Sequence, residues 1–174
     1  MSGLSTKRLM KELADIQSKG TPEGIILLSA DNMDEWVFLI SVLGDETIYK
    51  GETFALRMKF GNRYPIDVPE VSFIVTFLAN GQYQPPMHPH VYSNGHICAS
   101  ILADNYQPWT VLNAVAICIT MQSMLASNNK KERPEGNDRY VRSAPSNPKL
   151  TRWHYDDDVG IGIKFSCHNP AKWV

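Results

Sequence analysis

Between Ser5 and Lys19, apolar residues recur at Leu9, Leu13 and Ile16 with charged residues on the other side, and Gly20-Thr21-Pro22 follows as a stop. That spacing predicts an amphipathic surface helix. The pattern then shortens. Ile25 to Leu28, Trp36 to Leu43 and Phe54 to Phe60 predict three strands; in the third, Phe54, Leu56, Met58 and Phe60 alternate with Ala55, Arg57 and Lys59. Asp31-Asn32 and Gly44-Asp45 supply turn residues between them, so an antiparallel meander is the simplest topology. Tyr64-Pro65 and Pro69 frame a further turn, and Val71, Phe73 and Val75 predict a fourth strand.

From Ala79 to Pro108 the chain carries Pro85, Pro86, Pro89 and Pro108 together with Asn94-Gly95, too much turn chemistry for a long regular element. A long ordered loop in a small domain is uncommon and usually functional. Thr110 to Ala126 predicts a second helix, apolar on most faces through Leu112, Val115, Ile119, Met124 and Leu125, and therefore packed centrally on the sheet. After Asn128-Asn129-Lys130-Lys131 the chain is rich in Pro, Asn, Asp and Gly without a clear period, which predicts short helical turns and partial disorder, especially beyond Trp153.

Charge narrows the classes of partner. Seventeen Lys and Arg against eighteen Asp and Glu leave a formal charge of -1, giving no overall basic field for nucleic acid or an anionic membrane. No apolar h-region follows Met1 to Arg8 and no run approaches a membrane span, which predicts an intracellular protein. Three cysteines at wide spacings, Cys98, Cys118 and Cys167, argue against a disulfide framework and predict at least one free thiol.

The chemistry concentrates in His88-Pro89-His90, Asn94-Gly95-His96-Ile97-Cys98 and Ile101-Leu102. This segment resembles the active-site signature of ubiquitin-conjugating enzymes, His-Pro-Asn followed by Gly-x-Ile-Cys and then x-x-Ile-Leu. Tyr49-x-Gly51-x-x-Phe54 and Tyr64-Pro65-x-x-x-Pro69-x-Val71-x-Phe73 resemble the same family in the same order, as do Lys7-Arg8 and Lys11-Glu12-Leu13. Several spaced motifs in order, over roughly residues 4 to 127, are far more specific than any one of them. The resemblance implies an α+β fold, with a four-stranded antiparallel sheet, an N-terminal helix and a core helix. It further implies a catalytic core over 1–145 and a loosely packed or partly disordered tail over 146–174. His88-Pro89-His90 in place of His-Pro-Asn, together with Asn147-Pro148-Lys149, Thr151-x-Trp153 and Tyr155-Asp156-Asp157, is similar to the W-type branch, which modifies substrate N-termini. Tyr106-Gln107-Pro108-Trp109 departs from the family's Trp-Ser-Pro-Ala.

By this resemblance Cys98 is the nucleophile that carries ubiquitin as a thioester. A thiolate suits both halves of the exchange, being a good nucleophile and a tolerable leaving group. Cys118, inside an apolar helix, reads as a small buried hydrophobe. His90 stands where the family has the Asn that stabilises the oxyanion or orders the loop, and an imidazole has both a donor and an acceptor to offer. His88 reads as loop support through backbone hydrogen bonds and His96 as exposed. Asn94 and Gly95 shape the turn, Gly through its tolerance of positive φ.

Nucleophile choice has a physical basis. With pKa values near 7.7–8.0 and 10.4, roughly 10–20% of an α-amine is neutral at pH 7, against about 0.04% of a lysine. Ser127 to Pro134 replaces the family's acidic stretch after the core helix, and the departure at His90 points the same way, toward flexible N-terminal amines. Lysine-directed transfer of ubiquitin or a ubiquitin-like modifier is the alternative.

The implied partners are ubiquitin, its activating enzyme, a RING-type or U-box ligase and substrates with flexible N-termini, in the cytoplasm and nucleus. Ligase contacts map onto Lys7, Arg8, Lys11, Ile66, Pro108 and Trp109. ATP is consumed by the activating enzyme, so no cofactor or metal is expected on this chain. Rival readings are a zinc module built on His88, His90, His96 and Cys98, and a ubiquitin-binding module without catalysis.

Overall fold

The computed structural model describes residues 3–76, 83–103, 113–155 and 167–168, with backbone alone at 154–155 and 167–168. The opening helix α1 spans Gly3–Lys19 and buries Ser5, Leu9, Glu12 and Ile16. It begins two residues before its predicted start, and its buried stripe includes two polar side chains that have partners. Ser5 Oγ lies 2.7 Å from the carbonyl of Asn62 and 2.9 Å from that of Tyr64. Glu12 accepts from the Tyr64 hydroxyl at 2.8 Å and from the Ala114 N–H at 3.0 Å, and pairs with Arg8 at 2.6 Å. One buried carboxylate thus joins the helix, the turn after the third strand and the start of the core helix.

Strands β1 (Ile25–Asn32), β2 (Glu35–Ser41), β3 (Thr53–Lys59) and β4 (Glu70–Phe73) form the antiparallel meander in the order β1-β2-β3-β4. Period-two alternation is cleanest in β2, where Trp36, Phe38 and Ile40 are buried. Register carries that face across the sheet: Trp36 lies opposite Met58, Phe38 opposite Leu56 and Ile40 opposite Phe54, while Leu56 faces Phe73 and Met58 faces Val71. Apolar side chains opposite one another on one face are what stabilise such a pairing. Ala55, expected on the outer side of β3, is also buried. Strand β4 stops at Phe73, short of the predicted Val75. Thr76 instead bonds Tyr83, with its N–H donating to the Tyr83 carbonyl at 3.1 Å and its Oγ1 accepting from the Tyr83 N–H at 3.0 Å.

The core helix α2 spans Ala114–Ala126, capped by Asn113, whose side chain accepts from the Ala116 N–H at 2.7 Å. It buries Ala114, Ile117, Cys118, Met121, Met124 and Leu125, while Ile119, expected among the packed residues, is exposed. Thr110 and Leu112 lie outside the described residues. Gln122 ties α2 to the sheet by donating to the carbonyls of Glu23 at 3.0 Å and Ser41 at 2.8 Å. A short helix α3 spans Asn137–Ser143 and buries Tyr140. Strands β5 (His154–Tyr155) and β6 (Cys167–His168) pair antiparallel, with Tyr155 opposite Cys167. No helix among the described residues is long and apolar enough to cross a membrane.

Candidate active site

The loop after β4 is bound to that strand. Phe73 donates its N–H to the Gly95 carbonyl at 2.9 Å, and Ser72 bridges to His96. Gly95 has φ +87, and a Cβ there would lie 2.0 Å from the Phe73 carbonyl oxygen. Only glycine meets both demands, positive φ and close backbone approach. Asn94 Oδ1 accepts from the His96 N–H at 3.2 Å, and Tyr92 closes the turn through bonds to Gly95 and His96. The chain leaving this turn delivers Cys98, whose N–H donates to the His90 carbonyl at 2.9 Å. Backbone pairing therefore brings residue 90 and residue 98 side by side.

His88 is held at both ring nitrogens. Its Nδ1 accepts from the His90 N–H at 3.0 Å, which leaves the proton on Nε2 to reach the Met124 carbonyl at 3.3 Å. Burial first, and the neighbouring His90 second, push its pKa down to about 4. Burial likewise pushes His90 down to about 4, so both rings are neutral near pH 7. Their centroids are 5.2 Å apart. A neutral His90 ring carries one donor and one acceptor nitrogen, on a residue whose backbone carbonyl is bonded to Cys98.

His96 corrects the expectation of an exposed side chain. It is buried, with its Nδ1 2.8 Å from the Tyr140 hydroxyl, which in turn lies 2.9 Å from Thr151 Oγ1. Burial holds its pKa at about 4. Asn137, at the start of α3, accepts from the Ser93 N–H at 2.9 Å and donates to Ser93 Oγ at 3.1 Å. Tyr92, Tyr140 and Trp153 stack as a group, with the Tyr92 and Tyr140 centroids 4.2 Å apart, and this group shares a small core with Cys98. Cys98 is fully buried and its sulfur is in a disulfide, whereas Cys118 is a free thiol whose pKa burial pushes up. The odd cysteine count argues against a disulfide framework and predicts at least one free thiol; Cys118 is such a thiol, whereas Cys98 is bonded. Its disulfide sulfur stands in for the thiol or thiolate of the reduced chain.

The outer rim of the loop is clamped from the segment after α2. The Arg133 guanidinium donates to the carbonyls of Pro85 at 3.0 Å, Pro86 at 2.6 Å and Val91 at 3.1 Å. The Tyr49 hydroxyl donates to the Met87 carbonyl at 2.8 Å and accepts from Asn128 at 2.6 Å. Proline carbonyls have no ladder partner here, and a charged planar fork satisfies several at once. Lys131 pairs with Glu52 and lies 5.4 Å from the Tyr49 ring centroid, so part of the basic segment is engaged within the fold. Among the described residues, no three His, Cys, Asp or Glu group as a metal site.

The sequence profile of the ubiquitin-conjugating enzyme family matches residues 8–151. The chain belongs to the ubiquitin-conjugating enzyme family. It is similar to the probable ubiquitin-conjugating enzyme E2 W of Dictyostelium discoideum, 44% identical over 91% of this chain and 99% of the relative. Similarity to the ubiquitin-conjugating enzyme E2 W of Caenorhabditis elegans is 41% over the same shares. Among solved structures, the ubiquitin-conjugating enzyme E2 UbcA1 of Agrocybe aegerita superposes with a TM-score of 0.77 at 52% identity, covering 86% of this chain and 100% of that one. The meander with its two main helices is the α+β fold of these enzymes, which transfer ubiquitin and work with an activating enzyme and ligases.

Within this ubiquitin-conjugating fold the residues assigned to ligase contact divide. Lys7 and Lys11 are exposed on α1, and Ile66 is 81% exposed at the turn after β3. Arg8 is tied to Glu12, so part of its charge serves the interior. Pro108 and Trp109 lie outside the described residues, as does the Asn80 to Gln82 stretch of the preceding loop. Arg133, Asn137 and Tyr140 were missed as supports of the site. Each lies more than thirty residues downstream of the loop it holds, in a stretch without hydrophobic period, and no local signal marks it.

Proposed function

We infer that Cys98, in its reduced form, receives ubiquitin as a thioester from the activating enzyme and gives it to amines, with preference for flexible substrate N-termini. The observation that carries this reading is the 2.9 Å bond from the Cys98 N–H to the His90 carbonyl, which sets a neutral imidazole residue against the backbone of the nucleophile. Attack by an amine on a thioester develops an oxyanion, and a positioned donor there is worth about 2.7–4 kcal/mol in comparable acyl transfers. A neutral His90 offers such a donor, or an acceptor for the amine proton, without adding a positive charge that would repel a protonated amine. N-terminal amines need less help to deprotonate than lysines, as their pKa values require.

Ligase docking is read onto Lys7, Lys11 and Ile66, because an exposed apolar anchor flanked by charges is the composition of an interface centre and rim. A RING-type or U-box ligase is the partner class, and the cytoplasm and nucleus are the proposed compartments.

The test is a single-turnover discharge. Reduced protein is charged with activating enzyme, ATP and ubiquitin, and the reductant-sensitive adduct should be lost in Cys98→Ala. The isolated thioester is then offered free lysine or an unstructured peptide whose only amine is its N-terminus. Faster discharge to the peptide is expected; faster discharge to lysine would overturn the N-terminal preference.

A further inference from the structure

Arg133 reaches the histidine loop from the segment after α2 and meets both of its ends. Nη1 donates to the Pro86 carbonyl at 2.6 Å and to the Val91 carbonyl at 3.1 Å, and Nη2 donates to the Pro85 carbonyl at 3.0 Å. His88, Pro89 and His90 lie between those contacts. The far end is also where the loop meets the cysteine: Val91 pairs with Ile97, and the His90 carbonyl accepts from the Cys98 N–H at 2.9 Å. Residue 133 is itself held in place. The carbonyl of Pro134 accepts from the Asn137 N–H at 3.1 Å, and the Asn137 side chain accepts from the Ser93 N–H at 2.9 Å. Arg133 is half-buried, burial lowers its pKa, and none of the ion pairs among the described residues includes it. Taking a cation from water without a carboxylate is unfavourable, and here neutral carbonyls alone offset the loss.

We propose that Arg133 is a positioning residue for the transfer step: its guanidinium holds the two ends of the His88–His90 loop at a fixed spacing and thereby holds His90 in register with Cys98. The proposal rests on the reading of Cys98 as ubiquitin carrier. Arg133 acts through the backbone of Val91 and His90 and not on the reacting atoms. A guanidinium presents its N–H groups in one rigid plane, so a single residue sets the distance between the two ends of the loop. A lysine ammonium is a point charge on a flexible stem and cannot impose that distance. Amine attack on a thioester succeeds only from a narrow range of geometries, and a displacement of about 1 Å caused by a distant change can cost about 100-fold. A loosened loop populates fewer competent geometries without altering the encounter with the amine. The rate at saturating acceptor then falls while the half-saturating concentration stays.

The experiment uses the reduced full chain and Arg133→Lys, which keeps the charge and a long stem but loses the fork. Isolated ubiquitin thioesters of both are discharged to an unstructured peptide with a single α-amine, over a range of peptide concentrations. The variant should show kcat at least about ten-fold lower with KM unchanged. Native-state hydrogen exchange gives a readout independent of ubiquitin. The Cys98 amide, bonded to His90, should exchange about ten-fold or more faster in Arg133→Lys, while amides of the interior strand β2 keep parent rates. Parent-like kcat, or parent-like exchange at Cys98, would overturn the proposal, as would a raised KM. Faster exchange throughout β2 would mark a general loss of stability and overturn it as well. If the reduced parent forms no reductant-sensitive adduct, the carrier reading fails, and exchange at Cys98 still decides whether Arg133 holds the loop.

Discussion

The hydroxyl of Tyr140 stands 2.8 Å from Nδ1 of His96, two residues before Cys98, although 44 positions of chain separate the pair. Through it, the short helix α3 supports the turn that leads into Cys98. Tyr140→Phe keeps the ring stack on Tyr92 and removes only the hydroxyl. Loss of a buried hydrogen bond that leaves a partner unsatisfied costs about 1–3 kcal/mol. Denaturant unfolding should show a loss in that range, and thioester formation by reduced protein should slow. A larger loss for Tyr140→Ala, which also removes the stack, would separate packing from the hydrogen bond.

Gly95→Ala tests the turn. The new side chain must occupy positive φ, and its Cβ would lie 2.0 Å from the Phe73 carbonyl oxygen, a backbone atom with little room to yield. A left-handed conformation alone costs about 1–2 kcal/mol for a non-glycine residue, and displacement of the loop from β4 adds to it. The expected result is a stability loss of at least about 2 kcal/mol by urea titration together with loss of ubiquitin charging.

Glu12 is the corresponding test for the frame that carries the site. Glu12→Ala strips partners from the Tyr64 hydroxyl, the Ala114 N–H and Arg8 at once, at a position only 8% exposed. Removal of one member of a buried charged network costs about 3–5 kcal/mol, so a drop near the lower figure is expected by urea unfolding, given Arg8's partial exposure. Glu12→Gln, which keeps an acceptor, should lose less.

Acid should weaken the fold through the loop histidines. His88, His90 and His96 are each held at about 4, mainly by burial. Unfolded, they titrate near 6.5, so between those values the unfolded chain binds protons that the folded chain does not. Their contribution is complete above about pH 6.5 and is lost as pH falls toward 4. Unfolding midpoints of reduced protein measured downward from about pH 7.5 to about pH 5 should decline, with proton uptake on unfolding detectable by calorimetry. For the same reason His90 should contribute no inflection near pH 6.5 to the discharge rate.

Ile66→Ala separates partner binding from chemistry. The side chain is 81% exposed, so truncation costs the fold little. An interface anchor loses more than about 1 kcal/mol on truncation, which predicts roughly five-fold or greater weakening of ligase-stimulated transfer with charging unchanged. Equal loss of both activities would place Ile66 in the fold or in activating-enzyme binding instead.

The sequence by itself determined the elements whose hydrophobic period is local: α1 from Leu9, Leu13 and Ile16, the meander from β2 and β3, and the turn at Asn94-Gly95. Ordered motifs around Cys98 also carried the family, because their spacing along the chain survives without coordinates. Tertiary structure alone decided what surrounds Cys98. His96 lies next to the turn and looked exposed, yet it is buried, because Tyr140 covers it from 44 residues away. Arg133 and Asn137 satisfy loop carbonyls and amides that have no partner nearby in sequence. The cysteine count predicted a free thiol, and only the fold assigned that thiol to Cys118 and the disulfide to Cys98. Periodicity records which face of an element turns inward, whereas partners brought together by chain reversal leave no period to read.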